Sequence, residues 1–180
     1  MSKQQSIFVN ALKNSETKEK AFKRLVSEYK ERLYWHIRKL VLDHDDAHDV
    51  IQNTFIKIHL NIDNFRETSS LYTWMYRIAT NESLNFINSK AKKMGIQNQE
   101  WIEAKADGLT ADSYFDGNDA AHNLQKMIAR LPEKQRIVFN MRYFDNMSYK
   151  DISEVLDTSV GALKASYHHA VKKIKIILND

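Results

Sequence analysis

Residues Leu131 to Leu178 constrain this chain most, because three helical patterns stand there back to back with only tight corners between them. Pro132 is placed for the first position of a helix, where its missing N–H costs nothing. Ile137, Val138, Met141 and Phe144 then recur at three- and four-residue steps. That pattern is expected to end at Asp145 and Asn146. Ser148 is placed to cap the second helix, with Asp151 in the carboxylate position of a capping box; Tyr149, Ile152, Val155 and Leu156 give it a buried face. Asp157, Thr158 and Ser159 form the next corner. Thr158 or Ser159 caps a last helix whose apolar stripe is Val160, Leu163, Tyr167, Ala170, Val171, Ile174 and Leu178.

A short helix, a tight turn and a longer helix make the helix-turn-helix arrangement, in which the second helix enters the major groove of DNA. The outer face of the last pattern suits that use: Gly161, Ala162, Lys164, Ala165, Ser166, His168, His169, Lys172, Lys173 and Lys175, with no acid until Asp180. Small residues at its start let the backbone approach base edges, while the lysines and the helix amino terminus neutralise phosphates. The same face also fits a solvated lysine surface on an ordinary three-helix bundle. Spacing alone leaves both readings open.

The charge distribution adds to the first. Lys and Arg stand against Asp and Glu as 16 to 11 over residues 1–93, 1 to 6 over 94–121, and 10 to 6 over 122–180. Two basic blocks flank an acidic middle, and basic blocks are the footprint of a polyanionic partner. With one Pro and four Gly among 180 residues, the chain reads as nearly all helix. It has no cysteine, which excludes disulfides and thiolate metal sites. No apolar run approaches the roughly 20 residues that span a bilayer, and no signal-peptide core is present. The expectation is a soluble cytoplasmic protein without membrane insertion.

From Thr17 a helical pattern runs through Ala21, Phe22, Leu25, Tyr29, Leu33, Ile37, Leu40 and Val41, ending near Leu42. Residues 1–16 are polar and read as frayed or partly helical. In the next pattern Asp45 is the expected cap and Ala47, Val50, Ile51, Thr54, Phe55 and Ile58 form the stripe, with Asp49, Gln52 and Asn53 opposite. A polar loop, Asn61 to Ser70, leads to a long helix capped at Ser69 or Ser70. Its start crowds Tyr72, Trp74 and Tyr76 into five residues. Those rings read either as core, with Leu71, Met75 and Ile78, or as a stacking platform for unpaired bases beside Arg77, Lys90, Lys92 and Lys93. Both hold if different rings face different ways. Residues 94–121 carry three of the four glycines and isolated apolar residues such as Trp101 and Phe115, and read as an acidic, weakly structured tether between two helical domains.

A competing constellation is His44, Asp45, Asp46, His48 and Asp49, since histidines four apart on a helix can share a metal. His44 is expected to precede the helix cap, and no second cluster of ligands follows. No Gly-rich phosphate loop or Ser/His/Asp arrangement is present either, so neither an enzyme nor a cofactor is expected.

Three segments together resemble the extracytoplasmic-function (group IV) sigma factors of the sigma-70 family. Asp46 to His59 resembles the region 2.2 helix, Phe65 to Ile87 resembles regions 2.3 and 2.4, and Leu131 to Lys175 resembles region 4. The resemblance implies an all-α chain of two helical domains, region 2 over 1–93 and a region 4 helix-turn-helix over 122–180, joined by a flexible acidic linker over 94–121. It implies that Asp49, Gln52, Asn53 and Phe55 meet core RNA polymerase. It implies that Asn64, Phe65, Arg66, Tyr72, Thr73, Trp74, Arg77 and Asn81 hold the melted minus-ten strand of promoter DNA, with one base flipped from the stack. Ser159, Gly161, Ala162, Lys164, Ala165, Ser166, His168, His169 and Lys172 match the surface that reads the minus-35 duplex. An anti-sigma factor is a further implied partner. Where many relatives have arginines in the recognition helix, this chain has Tyr167, His168 and His169, so the promoter sequence does not carry over. The alternative is a stand-alone helix-turn-helix regulator.

Overall fold

The computed structural model of the chain describes residues 3–111 and 119–179, and among these it is all-α. The helices are α1 (Lys3–Lys13), α2 (Lys18–Val41), α3 (His44–Asn61), α4 (Leu71–Met94), α5 (Asn98–Asp107), α6 (Asp119–Ala129), α7 (Glu133–Tyr143), α8 (Tyr149–Leu156) and α9 (Val160–Asn179).

The amino-terminal half is a bundle in which α2, α3 and α4 pack on one another and α1 lies along α2. The apolar stripe of α2 is inside as the spacing predicts: Leu25, Leu33, Ile37, Leu40 and Val41 are buried, with Phe22 and Tyr29 at its edge. Leu42 ends the helix in the left-handed conformation (φ 60°), its N–H on the Arg38 carbonyl and its side chain buried. Residues 3–13, read as frayed or partly helical, form a full helix because Val9 and Leu12 find the core. Asp43, not Asp45, caps α3 by accepting from the Asp46 N–H at 3.0 Å, so His44 is the first helical residue rather than one before the cap. The reason is local: with acids at 43, 45 and 46, only Asp43 stands three residues before a free helical N–H.

In the carboxy-terminal half α8 and α9 make the helix-turn-helix and α7 packs along α9. Pro132 occupies the cap position, one residue earlier than expected, and α7 stops at Tyr143. Asn146 (φ 53°) turns the chain, a conformation that asparagine tolerates well among non-glycine residues. Ser148 caps α8, accepting from the Asp151 N–H at 3.1 Å and donating to the Asp151 carboxylate at 2.5 Å. Ser159 caps α9 through the Ala162 N–H at 3.3 Å. Of the expected α9 stripe, Leu163, Ala170 and Ile174 are buried, and Tyr167 stacks on Phe139 at 5.7 Å. Val160 (37% exposed) and Leu178 (62%) lie outside it, since each falls beyond the length of α9 that α7 and α8 cover.

The segment 94–121 departs from the tether that its acidic composition suggested. Gly95 (φ 70°) closes α4, and residues 98–107 then form α5, with the Gln97 N–H bonded to the Glu100 carboxylate at 2.9 Å. Trp101, Ile102 and Ala106 are buried against α4 and α6. Lys105 ties the helix to the start of α3, 2.8 Å from both Asp43 and Asp46. Glu100, Glu103 and Asp107 face outward along it; Asp112 and Phe115 lie outside the described residues.

The two halves touch. α4 packs on α8, α2 on α7, and one buried core runs from Leu25 and Met75 through Ile137, Val155 and Leu163. A second cluster, Ile128, Leu131, Phe139, Ala170 and Ile174, lies under α6, α7 and α9. The measurement that separates a packed α5 from a loose tether is thermal unfolding of Trp101→Ala: loss of a buried indole is expected to cost about 3–5 kcal/mol, whereas a ring on a tether costs almost nothing.

Candidate nucleic-acid and polymerase interfaces

Three exposed surfaces collect the residues singled out from the sequence. The first is a cleft of about 380 Å³ between α3 and α4, walled by Lys57, Asn61, Asn64, Trp74, Ile78, Asn81, Glu82 and Asn85. It brings together Asn64, Trp74 and Asn81 of the expected minus-ten set. The spacing explains the rest: Trp74, Ile78, Asn81, Glu82 and Asn85 recur at three- and four-residue steps on one face of α4, as do Lys57 and Asn61 on α3. That same-face rule is the signal that would have added Asn61 and Asn85. Four carboxamides each offer both donors and an acceptor, and the Trp74 indole offers a π-face. Lys57 and Glu82 pair at 2.5 Å across the cleft wall.

Other members of that set have different places. Phe65 is buried, 3% exposed, its ring 5.0 Å from Trp74, and its carbonyl accepts from Lys13 Nζ at 2.6 Å. Thr73 is also buried: it belongs to the cap of α4, where Ser70 Oγ accepts from the Thr73 N–H at 3.0 Å and lies 2.7 Å from the Thr73 hydroxyl. Both residues fix the loop against the bundle, because a loop that closes on the bundle has to bury its own aromatic anchor and its own cap. Tyr72 is half-buried between Tyr76, 4.3 Å away ring to ring, and the Arg32 guanidinium. Burial raises the Tyr72 and Tyr76 hydroxyls above the ordinary phenol value, so both stay protonated donors. Arg66 is exposed. Arg77 is exposed too, yet donates through Nε at 3.1 Å, and through its second terminal nitrogen, to the Glu154 carbonyl of α8. The crowded rings face different ways: Tyr76 is core, and Trp74 is cleft wall.

The second surface is the outer face of α3. Asp49, Gln52 and Asn53 are exposed as expected, and Phe55 lies half-buried with its ring edge-on to Phe22 at 6.4 Å. Two further residues share the face, Ile56 (56% exposed) and Leu60 (67%). Their spacing from Asn53 puts them on it, but the stripe reading from Ala47 to Ile58 had no reason to look there. The His44 and His48 rings lie 4.5 Å apart, with the Tyr34 hydroxyl 2.8 Å from His44 Nδ1, and among the described residues no group of three His, Asp or Glu is placed to hold a metal ion.

The third surface is the outer face of α9. Gly161, Ala162, Lys164, Ala165, His168, His169, Lys172, Lys173 and Lys175 are all exposed, Ser166 is half-buried, and the Ser159 hydroxyl is taken by the helix cap. A Cβ at Gly161 would meet no atom within 4 Å, so the fold itself does not require glycine there.

Residues 25–93 match the sigma-70 region 2 family and residues 121–174 match sigma-70 region 4. The chain belongs to the extracytoplasmic-function sigma factors. It is 29% identical over 168 residues to the ECF RNA polymerase sigma factor SigW of Bacillus subtilis, covering 89% of this chain and 90% of that one. It is 29% identical over 166 residues to the ECF RNA polymerase sigma-E factor of Haemophilus influenzae, covering 87% and 86%. The fold matches CnrH, solved in complex with the cytosolic domain of CnrY, with a TM-score of 0.70, 19% identity and 97% of each chain covered. It also matches the sigma factor RpoE of Bartonella quintana, solved in complex with the anti-sigma factor NepR, with a TM-score of 0.69, 21% identity and 89% and 98% covered. Among the described residues no helix of this sigma factor is long and apolar enough to cross a membrane. The geometry of its first cleft rests on Ser70: Ser70→Ala is expected to lower stability by about 1 kcal/mol, read as a fall in the melting temperature.

Proposed function

We propose that this sigma factor brings core RNA polymerase to its promoters by dividing the work among the three surfaces. The cleft beside Trp74 carries the reading. A flipped base is read on its Watson–Crick edge inside a pocket, and Asn61, Asn64, Asn81 and Asn85 supply paired donors and acceptors there, with the indole as the stacking face. Phe65 and Thr73 hold the loop that forms the rim. Arg66 faces the backbone phosphates of the melted minus-ten strand.

The outer face of α9 reads the minus-35 duplex. Gly161, Ala162 and Ala165 let the helix lie close to base edges, and Lys164, Lys172 and the neighbouring His168 and His169 meet phosphate and base acceptors. The outer face of α3 meets the polymerase. Asp49, Gln52 and Asn53 give it directed polar contacts, and Ile56 and Leu60 give it apolar area of the kind that sits at the centre of an interface. The chain itself performs no chemistry; it works in the cytoplasm, where the polymerase is. Two proteins of the same fold were solved with bound partner chains, one of them an anti-sigma factor, and this supports an anti-sigma partner here as well.

Run-off transcription with added core enzyme tests the reading. Wild type is expected to direct specific starts, and Trp74→Ala to weaken binding of a minus-ten single strand by about 1–3 kcal/mol without changing duplex binding by α9. Specific duplex binding with no polymerase-dependent initiation would favour a stand-alone regulator instead. On the duplex, Lys172→Ala is expected to lower the slope of log affinity against log salt by about 0.9, measured by titration of a minus-35 fragment at several salt concentrations; an unchanged slope places Lys172 off the DNA.

A further inference from the structure

Helix α7 and the turn after it bury two ionic side chains, Arg136 and Asp145, which differ in how they are matched. Asp145 lies in a cluster with His36 and Lys39: one carboxylate oxygen is 2.6 Å from His36 Nδ1 and the other accepts from Lys39 Nζ at 2.8 Å. Arg136 has no such company. It is 2% exposed, its Nε is buried without a partner, and its one side-chain hydrogen bond runs from a terminal nitrogen to Gln99 Oε1 at 3.4 Å. Gln99 is fixed in that pose, because its amide nitrogen donates to Glu103 at 2.7 Å and to the Ala129 carbonyl at 2.9 Å. Burial pushes the guanidinium below its ordinary value, against the more distant pull of Glu133 and Glu103, yet an arginine stays cationic in a protein. A buried charge without a counter-charge is strongly destabilising.

This guanidinium borders a cavity of about 510 Å³ between the end of α4 and the starts of α5 and α7. Asn88 and Lys92 wall it one turn apart on α4, Asn98 and Gln99 wall it from α5, and the exposed Glu133 stands at its edge. Asn98 Nδ2 donates to Asn88 Oδ1. The Asn98 oxygen is left as an acceptor and the Asn88 nitrogen as a donor. A donor and an acceptor side by side are what a nucleobase edge takes, as when a carboxamide meets adenine N6 and N7.

We propose that this cavity is a nucleotide site, with the phosphate held by Arg136 and Lys92 and the base by the Asn88 and Asn98 carboxamides. The planar fork of a guanidinium matches phosphate oxygens two at a time, and the bound anion supplies the counter-charge that Arg136 lacks. The cavity lies within the range of small-molecule sites, about 300–1,000 Å³, and exceeds what a bare phosphate fills. A DNA backbone fits less well. It is gripped by projecting cations, whereas Arg136 is recessed and Glu133 sits beside Lys92 with the wrong sign for a polyanion. None of these residues lines the cleft beside Trp74.

Calorimetric titration of the full chain with ATP, GTP and inorganic phosphate in turn tests the proposal. At least one of the two nucleotides is expected to bind one to one, and more tightly than phosphate. Lys92→Gln, at an exposed position, is expected to weaken nucleotide binding by about tenfold or more, as loss of a hydrogen bond to a charged group does. Asn88→Ala, also exposed, is expected to weaken it by about three- to tenfold and to leave phosphate binding unchanged. Arg136→Met puts an apolar side chain where a lone charge was buried, so the ligand-free variant is expected to melt no lower than wild type while binding no nucleotide. If that variant does not fold, the two exposed ones still decide. No saturable binding of ATP or GTP at millimolar concentration overturns the site, as does nucleotide binding that neither Lys92→Gln nor Asn88→Ala weakens. Phosphate bound as tightly as nucleotide overturns the assignment of a base. A promoter fragment whose affinity falls with Lys92→Gln, in a chain that takes up no nucleotide, gives the cations to DNA and overturns it too. The nucleotide titration needs neither polymerase nor promoter, so its failure is separate from a failure to initiate transcription.

Discussion

Helix α4 is the constraint around which the rest is arranged, because it is packed by α2, α3, α5 and α8. A helix contacted on so many sides cannot be a simple amphipath, and its buried residues show how the problem is solved. Leu71, Met75, Tyr76 and Ile87 fill volume, while Ala79, Thr80, Ser83 and Ala91 let neighbouring backbones come close. The buried hydroxyls are satisfied within the helix, Thr80 on the Tyr76 carbonyl at 2.7 Å and Ser83 on the Ala79 carbonyl at 2.9 Å, so closeness is achieved without orphaned polar groups. What remains exposed is a narrow strip through Arg77, Asn81 and Asn85, and that strip lines the clefts.

The division between legible and hidden features follows the range of the interactions. Local patterns were readable: the ends of α2 at Thr17 and Leu42, the Ser148 cap with Asp151, the polar face of α3, and the cationic face of α9 are all written within one or two turns. The choice of Asp43 over Asp45 as a cap was not, because several acids compete and only the backbone path decides among them. α5 was obscured because its buried positions, Trp101, Ile102 and Ala106, make a stripe of three in an acidic stretch, too short to stand out against composition. The burial of Phe65 and Thr73 was not legible in a polar loop, because it depends on how that loop closes on the bundle. The cluster at His36 had no signal at all: nothing in a helical pattern marks a residue whose partner lies in the other half of the chain.

The three surfaces differ in the chemistry that they offer to a partner. The cleft between α3 and α4 has modest charge, with Lys57 neutralised by Glu82, and offers carboxamides and a ring, which suits bases rather than phosphates. The face of α9 has four lysines and small residues, which suits a charged duplex at close approach. The face of α3 mixes Asp49 with Ile56 and Leu60 and fits neither; its acid and exposed aliphatics match a protein surface.

The 109-residue separation of His36 from Asp145 has a consequence for biosynthesis. At about 5 to 20 residues added per second, the stretch from the end of α4 at Met94 to Asp145 takes roughly 3 to 10 s, so the finished amino-terminal bundle waits that long before the acid that meets His36 and Lys39 is made. The bundle therefore has to hold its own shape through that interval, and the join between the halves is the last part of the molecule to be made.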